Sequence, residues 1–248
     1  MRNRIIGAAF VCLIVISSST SATTIVNGSM NDSSGANYNS FNGLTPPGWL
    51  QNFSAHSSAS TDIFDQYTTV YGTAWIPSFD GGTFVHSIGV LPGGASGEGV
   101  VQSLSGLTVG IPIIIFFEQA ISNSIGSGVP NISGFWQVTF GTEVLDSAVM
   151  SLPALSSPSG WISQSLTFTP TVTTQDLKFL AMGNFTSPFA RIEMGLDNVS
   201  IGSVPEPSTI WLLGLGLLGL IGFAKQKTGT KEDRTKGVGF ALLLDGSH

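Results

Sequence analysis

Hydrophobic positions along the chain fall into three regimes. Ile5–Ile16 and Thr209–Ala224 are continuous apolar runs, whereas the region between them breaks its apolar residues into short stretches bounded by Gly, Pro, Ser and Asn. In that middle region, runs rich in β-branched and aromatic residues recur. They are Thr24–Asn27, Gln66–Trp75, Thr83–Val90, Gly99–Leu104, Ile111–Ala120, Phe135–Phe140, Val144–Met150, Trp161–Phe168, Leu177–Met182 and Arg191–Ile201. Runs of this kind between turn formers predict strands. Trp136, Val138 and Phe140 alternate with Gln137 and Thr139, which predicts a strand with one buried face. Ile162, Leu166 and Phe168 share a face of another. Ile111 to Phe117 is nearly all apolar and predicts a central strand buried on both sides. No stretch carries a convincing helical period and no internal repeat is visible, which argues against a propeller or β-helix. The expected fold is all-β, an antiparallel β-sandwich of jelly-roll topology spanning residues 23–202.

The two apolar ends read as addresses. Arg2 and Arg4 precede a run of about a dozen apolar residues, and Ser17 to Ala22 are all small. This order predicts a signal peptide over residues 1–22, with signal peptidase cutting between Ala22 and Thr23. The alternative, an uncleaved anchor, asks a short run to do the work of roughly 20 apolar residues. Val11 before Cys12 is not the small residue that a lipoprotein signal places there. At the other end, no charge interrupts the chain from Pro207 to Ala224. As a helix this stretch would rise about 27 Å, close to the thickness of a bilayer's hydrocarbon core. Lys225, Lys227, Lys231, Arg234 and Lys236 follow at once, so the positive-inside rule puts the C-terminus in the cytoplasm. The expectation is a linker at 203–208, a transmembrane helix at 209–224 and a basic cytoplasmic tail at 225–248.

Charge narrows the partners of the middle region. Its eleven acidic residues, Asp32 to Asp197, face only two basic ones, Lys178 and Arg191. Such a surface repels phosphate backbones, and nucleic acid is excluded as a partner. The sole cysteine, Cys12, lies in the first apolar run, so the middle region has no disulfide, no thiol nucleophile and no thiolate metal ligand.

Val204-Pro205-Glu206-Pro207-Ser208-Thr209, a Gly/Leu-rich span and a basic stop together closely resemble the PEP-CTERM sorting signal of Gram-negative bacteria. The resemblance implies recognition by an exosortase, a membrane-embedded cysteine protease that cuts near Pro205, Glu206 and Pro207 and releases or transfers the exported domain. Two prolines flanking a residue remove backbone donors and keep the approach extended, as a protease substrate must be. Implied localisation is the inner membrane as a precursor, then the cell surface or extracellular matrix, in association with exopolysaccharide or biofilm. The chain departs from the pattern by continuing through Thr228 to His248.

A second resemblance covers the middle region. Asn27-Gly28-Ser29, Pro46-Pro47-Gly48-Trp49, Gln102 to Leu107, Phe116 to Ala120 and Leu196-Asp197-Asn198-Val199-Ser200-Ile201 look like the sparse frame of galactose-binding-like jelly rolls, as in carbohydrate-binding modules. Those modules often hold a structural calcium between first and last strands. Asp197 matches the closing acidic position; at the opening one, Asn31 stands where Glu is expected, with Asp32 next. The resemblance thus points to Asn31, Asp32 and Asp197 as calcium ligands, against the plainer reading that Asp197 caps a turn or is solvated.

Catalytic constellations are hard to find. His56 and His86 form no metal-ligand pair with a neighbour in sequence, and Gly94-Ala95-Ser96-Gly97 is one residue short of a nucleophile elbow. Glu98, Glu118, Glu143 and Asp146 could supply a glycosidase pair, but sequence brings no two together. Asp62-Ile63-Phe64-Asp65 reads as a polar loop and His86 as an ordinary strand residue. Sugar faces stack on aromatic rings, and Tyr71 and Trp75 are the best placed of the available rings. The sequence therefore points to a non-enzymatic exported surface or matrix protein without a cofactor, a structural calcium apart. A lectin-like carbohydrate-binding module is the alternative, and a glycan-active enzyme the least favoured reading.

Overall fold

Alternation is the rule that builds the domain, and β6 shows it best: from Ile132 to Phe140 every second side chain is buried and those between are half-buried. The structure is a computed structural model. It describes residues 23–204, apart from Ser33, 35–37, Asn39, 54–59, 69–74, 90–96, 124–131, 153–158 and 185–191, together with 214–216 and Leu218. The strands among these residues are β1 (Leu50–Phe53), β2 (Asp62–Asp65), β3 (Thr83–Ile88), β4 (Glu98–Ser105), β5 (Ile113–Asn123), β6 (Ile132–Phe140), β7 (Glu143–Asp146), β8 (Met150–Leu152), β9 (Ile162–Phe168), β10 (Thr174–Asn184) and β11 (Ile192–Ser203).

They form two sheets, paired antiparallel throughout. One runs β1-β4-β10-β6-β7, with β8 also on β6; the other runs β2-β3-β11-β5-β9. From β3 to β6, and again from β9 to β11, successive strands cross between sheets. The expected antiparallel sandwich is therefore present. Its core interleaves the two inner faces: Val85, Ile115, Phe117, Met194 and Leu196 from one sheet meet Val100, Trp136, Val138 and Phe179 from the other. Phe117 and Phe179 meet edge to face at 5.2 Å. The Trp136 indole N–H crosses the core to donate to the Gly195 carbonyl at 3.1 Å, so the buried ring keeps its polar group satisfied.

Several elements differ from the sequence expectation. Val26 to Ser29 form a turn rather than a strand, with Asn27 at φ 48°. Gln66 and Tyr67 are also in a turn, and 69–74 lie outside the described residues. The run Val144–Met150 is split between β7 and β8 by Ser147–Val149, where the Ser147 hydroxyl accepts from the Trp136 N–H and donates to Gln119 Oε1 at 2.7 Å. Asp62–Asp65 is a buried strand, not a loop. In β5 the first half is not buried on both sides: Phe116 is 42% exposed, and two-sided burial starts at Phe117. The outer sheet face carries an apolar cover that takes in Ala120 but not Phe116.

The chain divides into two units, Met1–Val204 and Pro205–His248. In the second unit, 214–216 and Leu218 are helical. Among the described residues no helix is long and apolar enough to cross a membrane. The remainder of the expected span at 209–224, the signal peptide with Ala22, the motif residues Pro205, Glu206 and Pro207, and the basic tail lie outside the described residues.

Candidate functional site

Strand register places Asp62, His86 and Glu193 on one surface. Partnered residues in a sheet share a face. Asp62 pairs with His86, His86 with Gly195, and Gly195 with Ala120; one row on, Ile88 pairs with Glu193 and Glu193 with Ser122. All therefore point away from the core, on the outer face of the β2-β3-β11-β5-β9 sheet. That face is nonetheless buried. Phe64, Trp75, Phe84, Ala120 and Trp161 make a second apolar cluster upon it. Gly195 makes room for the cover, because a Cβ there would stand 2.8 Å from Trp161 Cη2 and 3.1 Å from Trp75 Cζ3. The Trp161 indole N–H donates to the Ile76 carbonyl at 2.7 Å and ties the cover to the sheet.

Beneath this cover lies an ionisable cluster. His86 is fully buried; Asp62 and Glu193 are each 1% exposed and Glu98 5%. The imidazole stacks on Phe64 at 4.1 Å with an interplanar angle of 13°. Its Nδ1 faces Asp62 Oδ2 at 3.5 Å and its Nε2 faces Glu193 Oε2 at 3.7 Å, and neither nitrogen has a hydrogen-bond partner. The other Asp62 oxygen is satisfied, accepting from the Asn42 and Gly43 N–H groups at 2.6 and 2.7 Å. Glu98 arrives from the opposite sheet and accepts from the Ile88 N–H at 2.7 Å. Burial by itself would lower the His86 pKa, but Asp62 and Glu193 outweigh it and raise it to about 9. Burial pushes Glu98 up to about 7, against the pull of His86. Asp62, His86 and Glu98 each offer one donor atom within 4.8 Å of the others.

Asp197, the expected calcium ligand, sits farther along β11. It is fully buried, with Oδ1 accepting from the Asn198 N–H at 2.8 Å and Oδ2 without a partner. Burial foremost, then the neighbouring Asp80 carboxylate, pushes its pKa up to about 9. Asn31 borders the same 78–83 turn: its Oδ1 accepts from the Thr83 N–H at 3.1 Å and lies over Gly82. Asp32 is engaged elsewhere, its carboxylate taken by the Ser34 hydroxyl and by the Tyr38 hydroxyl at 3.2 Å. Calcium takes roughly six to eight oxygen ligands, and an orphaned buried carboxylate oxygen beside a second carboxylate would supply part of that shell. Asp197 and Asp80 would hold such an ion, with Asn31 at the rim.

Trp75 is 4% exposed, its ring against Phe84 at 5.1 Å, and Tyr71 lies outside the described residues. The most exposed rings among the described residues are instead Tyr67, 75% exposed, and Phe79, 68% exposed. Of the remaining acids, Glu118 accepts from the Phe79 N–H at 3.1 Å and from the Asn198 amide at 3.0 Å, and Glu143 from the Thr169 N–H at 3.1 Å.

The short motifs scattered through the sequence converge on one seam. Gly28 and Val199 are joined backbone to backbone. The Trp49 indole donates to the Asn27 carbonyl at 3.2 Å, and Asn27 Nδ2 donates to the Pro47 carbonyl at 3.2 Å. Gln102 accepts from the Val26 N–H and donates to the carbonyls of Val26 and Gly48, each at 2.9 Å.

Comparison with known proteins separates the two parts of the chain. No curated protein matches the sequence. Solved structures similar to the chain include a Stig cyclase, Fisc, from Fischerella sp. TAU, with 16% identity over 75% of this chain and 99% of the cyclase at a TM-score of 0.45. They also include TmCBM61 in complex with β-1,4-galactotriose, with 10% identity over 66% and 100% and a TM-score of 0.37. A third is the K1 adhesin domain of Lys-gingipain from Porphyromonas gingivalis W83, with 11% identity over 64% and 92% and a TM-score of 0.40. At these values the likenesses name no activity for the sandwich. The C-terminal part is specific: residues 203–226 match the PEP-CTERM protein-sorting motif, and the chain is thereby an exported protein bearing an exosortase sorting signal.

Proposed function

We propose that this protein is a non-enzymatic jelly-roll module displayed at the cell surface or in the extracellular matrix, in association with exopolysaccharide. In this reading the signal peptide at 1–22 starts export, the helix at 209–224 halts it, and exosortase acts at Pro205-Glu206-Pro207. One observation carries it: the sorting motif begins at Ser203, the last residue of β11, so the sandwich is joined to its signal with no intervening domain. The crossing of strands between sheets supports the jelly-roll topology. Support for a non-enzymatic role comes from the carboxylates themselves. Asp62, Glu98, Glu118, Glu193 and Asp197 are buried, whereas Glu143 is half-buried and Asp146 exposed, so the candidate acids do not share one open cleft.

The test is processing in a host carrying the cognate exosortase. Replacing Pro205, Glu206 and Pro207 with alanine lets the helix extend outward and removes the extended substrate strand. The triple variant should accumulate as full-length precursor in the inner membrane, while the parent is shortened and appears outside. Equal processing of both on an immunoblot overturns the reading and leaves the segment a plain anchor.

The lectin-like alternative draws on Tyr67 and Phe79, which present aromatic faces to solvent on the loops flanking β2 and β3. A structural calcium at Asp197 and Asp80 suits either reading.

A further inference from the structure

We propose that Asp62, His86 and Glu98 form a buried three-donor site for a zinc-type divalent cation, with Glu193 behind the imidazole.

Separation is the first argument. The 3.5 Å between His86 Nδ1 and Asp62 Oδ2 exceeds the roughly 2.7–2.9 Å of a charge-assisted hydrogen bond. It matches the edge of a tetrahedron of donors, about 3.3–3.5 Å when each lies about 2.0–2.1 Å from a central ion. Glu98 supplies a third donor within 4.8 Å of the other two. The second argument is the orphaned imidazole. Both ring nitrogens are fully buried and lack hydrogen-bond partners, although acceptors stand on both sides. An unpaired buried nitrogen is costly, and an ion on Nδ1 removes that cost. Nε2 stands 3.7 Å from Glu193 Oε2, and closing that gap on metal binding would give the carboxylate–imidazole–metal order in which an outer carboxylate fixes the ring's tautomer.

Donor chemistry selects the ion. An imidazole nitrogen with two carboxylates suits zinc and its first-row neighbours and does not suit calcium, which takes oxygen alone. All three donors are buried, which shuts the site off from bulk solvent, and three protein donors leave the fourth coordination position to a trapped water. The site joins the sheets: Asp62 and His86 come from β2 and β3, and Glu98 from β4 on the opposite side.

Cobalt is the probe, because its visible absorption reports coordination directly. Full-length protein, purified in detergent and stripped with a chelator, should take up one Co²⁺ per chain. Zinc should displace it, and a hundredfold excess of calcium should not. His86→Gln should weaken binding at least 100-fold. Glu193→Gln, which keeps shape and packing, should weaken it roughly 10- to 100-fold. Far-UV circular dichroism accompanies each variant, and if His86→Gln does not fold, Glu193→Gln decides alone. No cobalt uptake by the folded parent at millimolar metal, or undiminished affinity in a folded variant, overturns the site and leaves an imidazolium held by carboxylates.

Discussion

Gly28 and Val199 touch backbone to backbone: the Val199 N–H donates to the Gly28 carbonyl at 2.7 Å, and a methyl group on Gly28 would collide with the Val199 carbonyl oxygen. The obstacle is main chain of the last strand, which cannot swing aside as a side-chain tip can. Gly28→Ala should therefore cost on the order of 3 kcal/mol. For a domain of this size that corresponds to a fall in melting temperature of about 6–12 °C, checked by thermal unfolding.

Gln102 closes the same seam with three hydrogen bonds, to both backbone groups of Val26 and to the Gly48 carbonyl. Gln102→Ala should destabilise by roughly 2–3 kcal/mol, because it strands partly buried main-chain groups. Gln102→Glu keeps the acceptor but loses both donated bonds and brings in a charge. It should be no better than alanine in chemical denaturation.

Exposed Asp80 stands beside buried Asp197, and a cation between them would relieve the repulsion of their charges. Calorimetry should record calcium binding in the parent and none in Asp197→Ala, while Asp32→Ala, whose carboxylate is taken by Ser34 and Tyr38, should bind like the parent. Silence in the parent at millimolar calcium removes the site.

Exposed Tyr67 and Phe79 separate display from sugar recognition. A module that only displays should run unretarded through gels containing exopolysaccharide. Retardation that Tyr67→Ala or Phe79→Ala abolishes, with melting temperature unchanged, would favour the lectin-like alternative.

Legibility in the sequence followed burial. β6 announced itself because Trp136, Val138 and Phe140 obey the period of two, and its burial follows suit. β2 did not, because it buries Asp62 next to Ile63 and Phe64 and so breaks the polar-out rule that strand reading relies on. β1 is a four-residue edge strand, too short to carry a pattern. The ionisable cluster was illegible for a different reason. Residues 62, 86, 98 and 193 meet only through strand register and the approach of opposite sheets, and neither is written locally. One trace existed: Phe84, Val85, His86 and Ser87 have no polar-to-solvent face to offer, which marks β3 as covered on both sides.

The route by which the chain leaves the sandwich has a mechanical meaning. β11 is an inner strand, bonded to β5 along nearly its whole length and to β3 on its other side, and the sorting motif starts where it ends. Antiparallel ladder bonds run perpendicular to their strands. Tension on the C-terminal tail is thus directed along β11 and loads those bonds in shear, many together, rather than peeling them in sequence. A domain tethered through this strand sets the ladders on both of its sides against the load, where an edge strand would set only one.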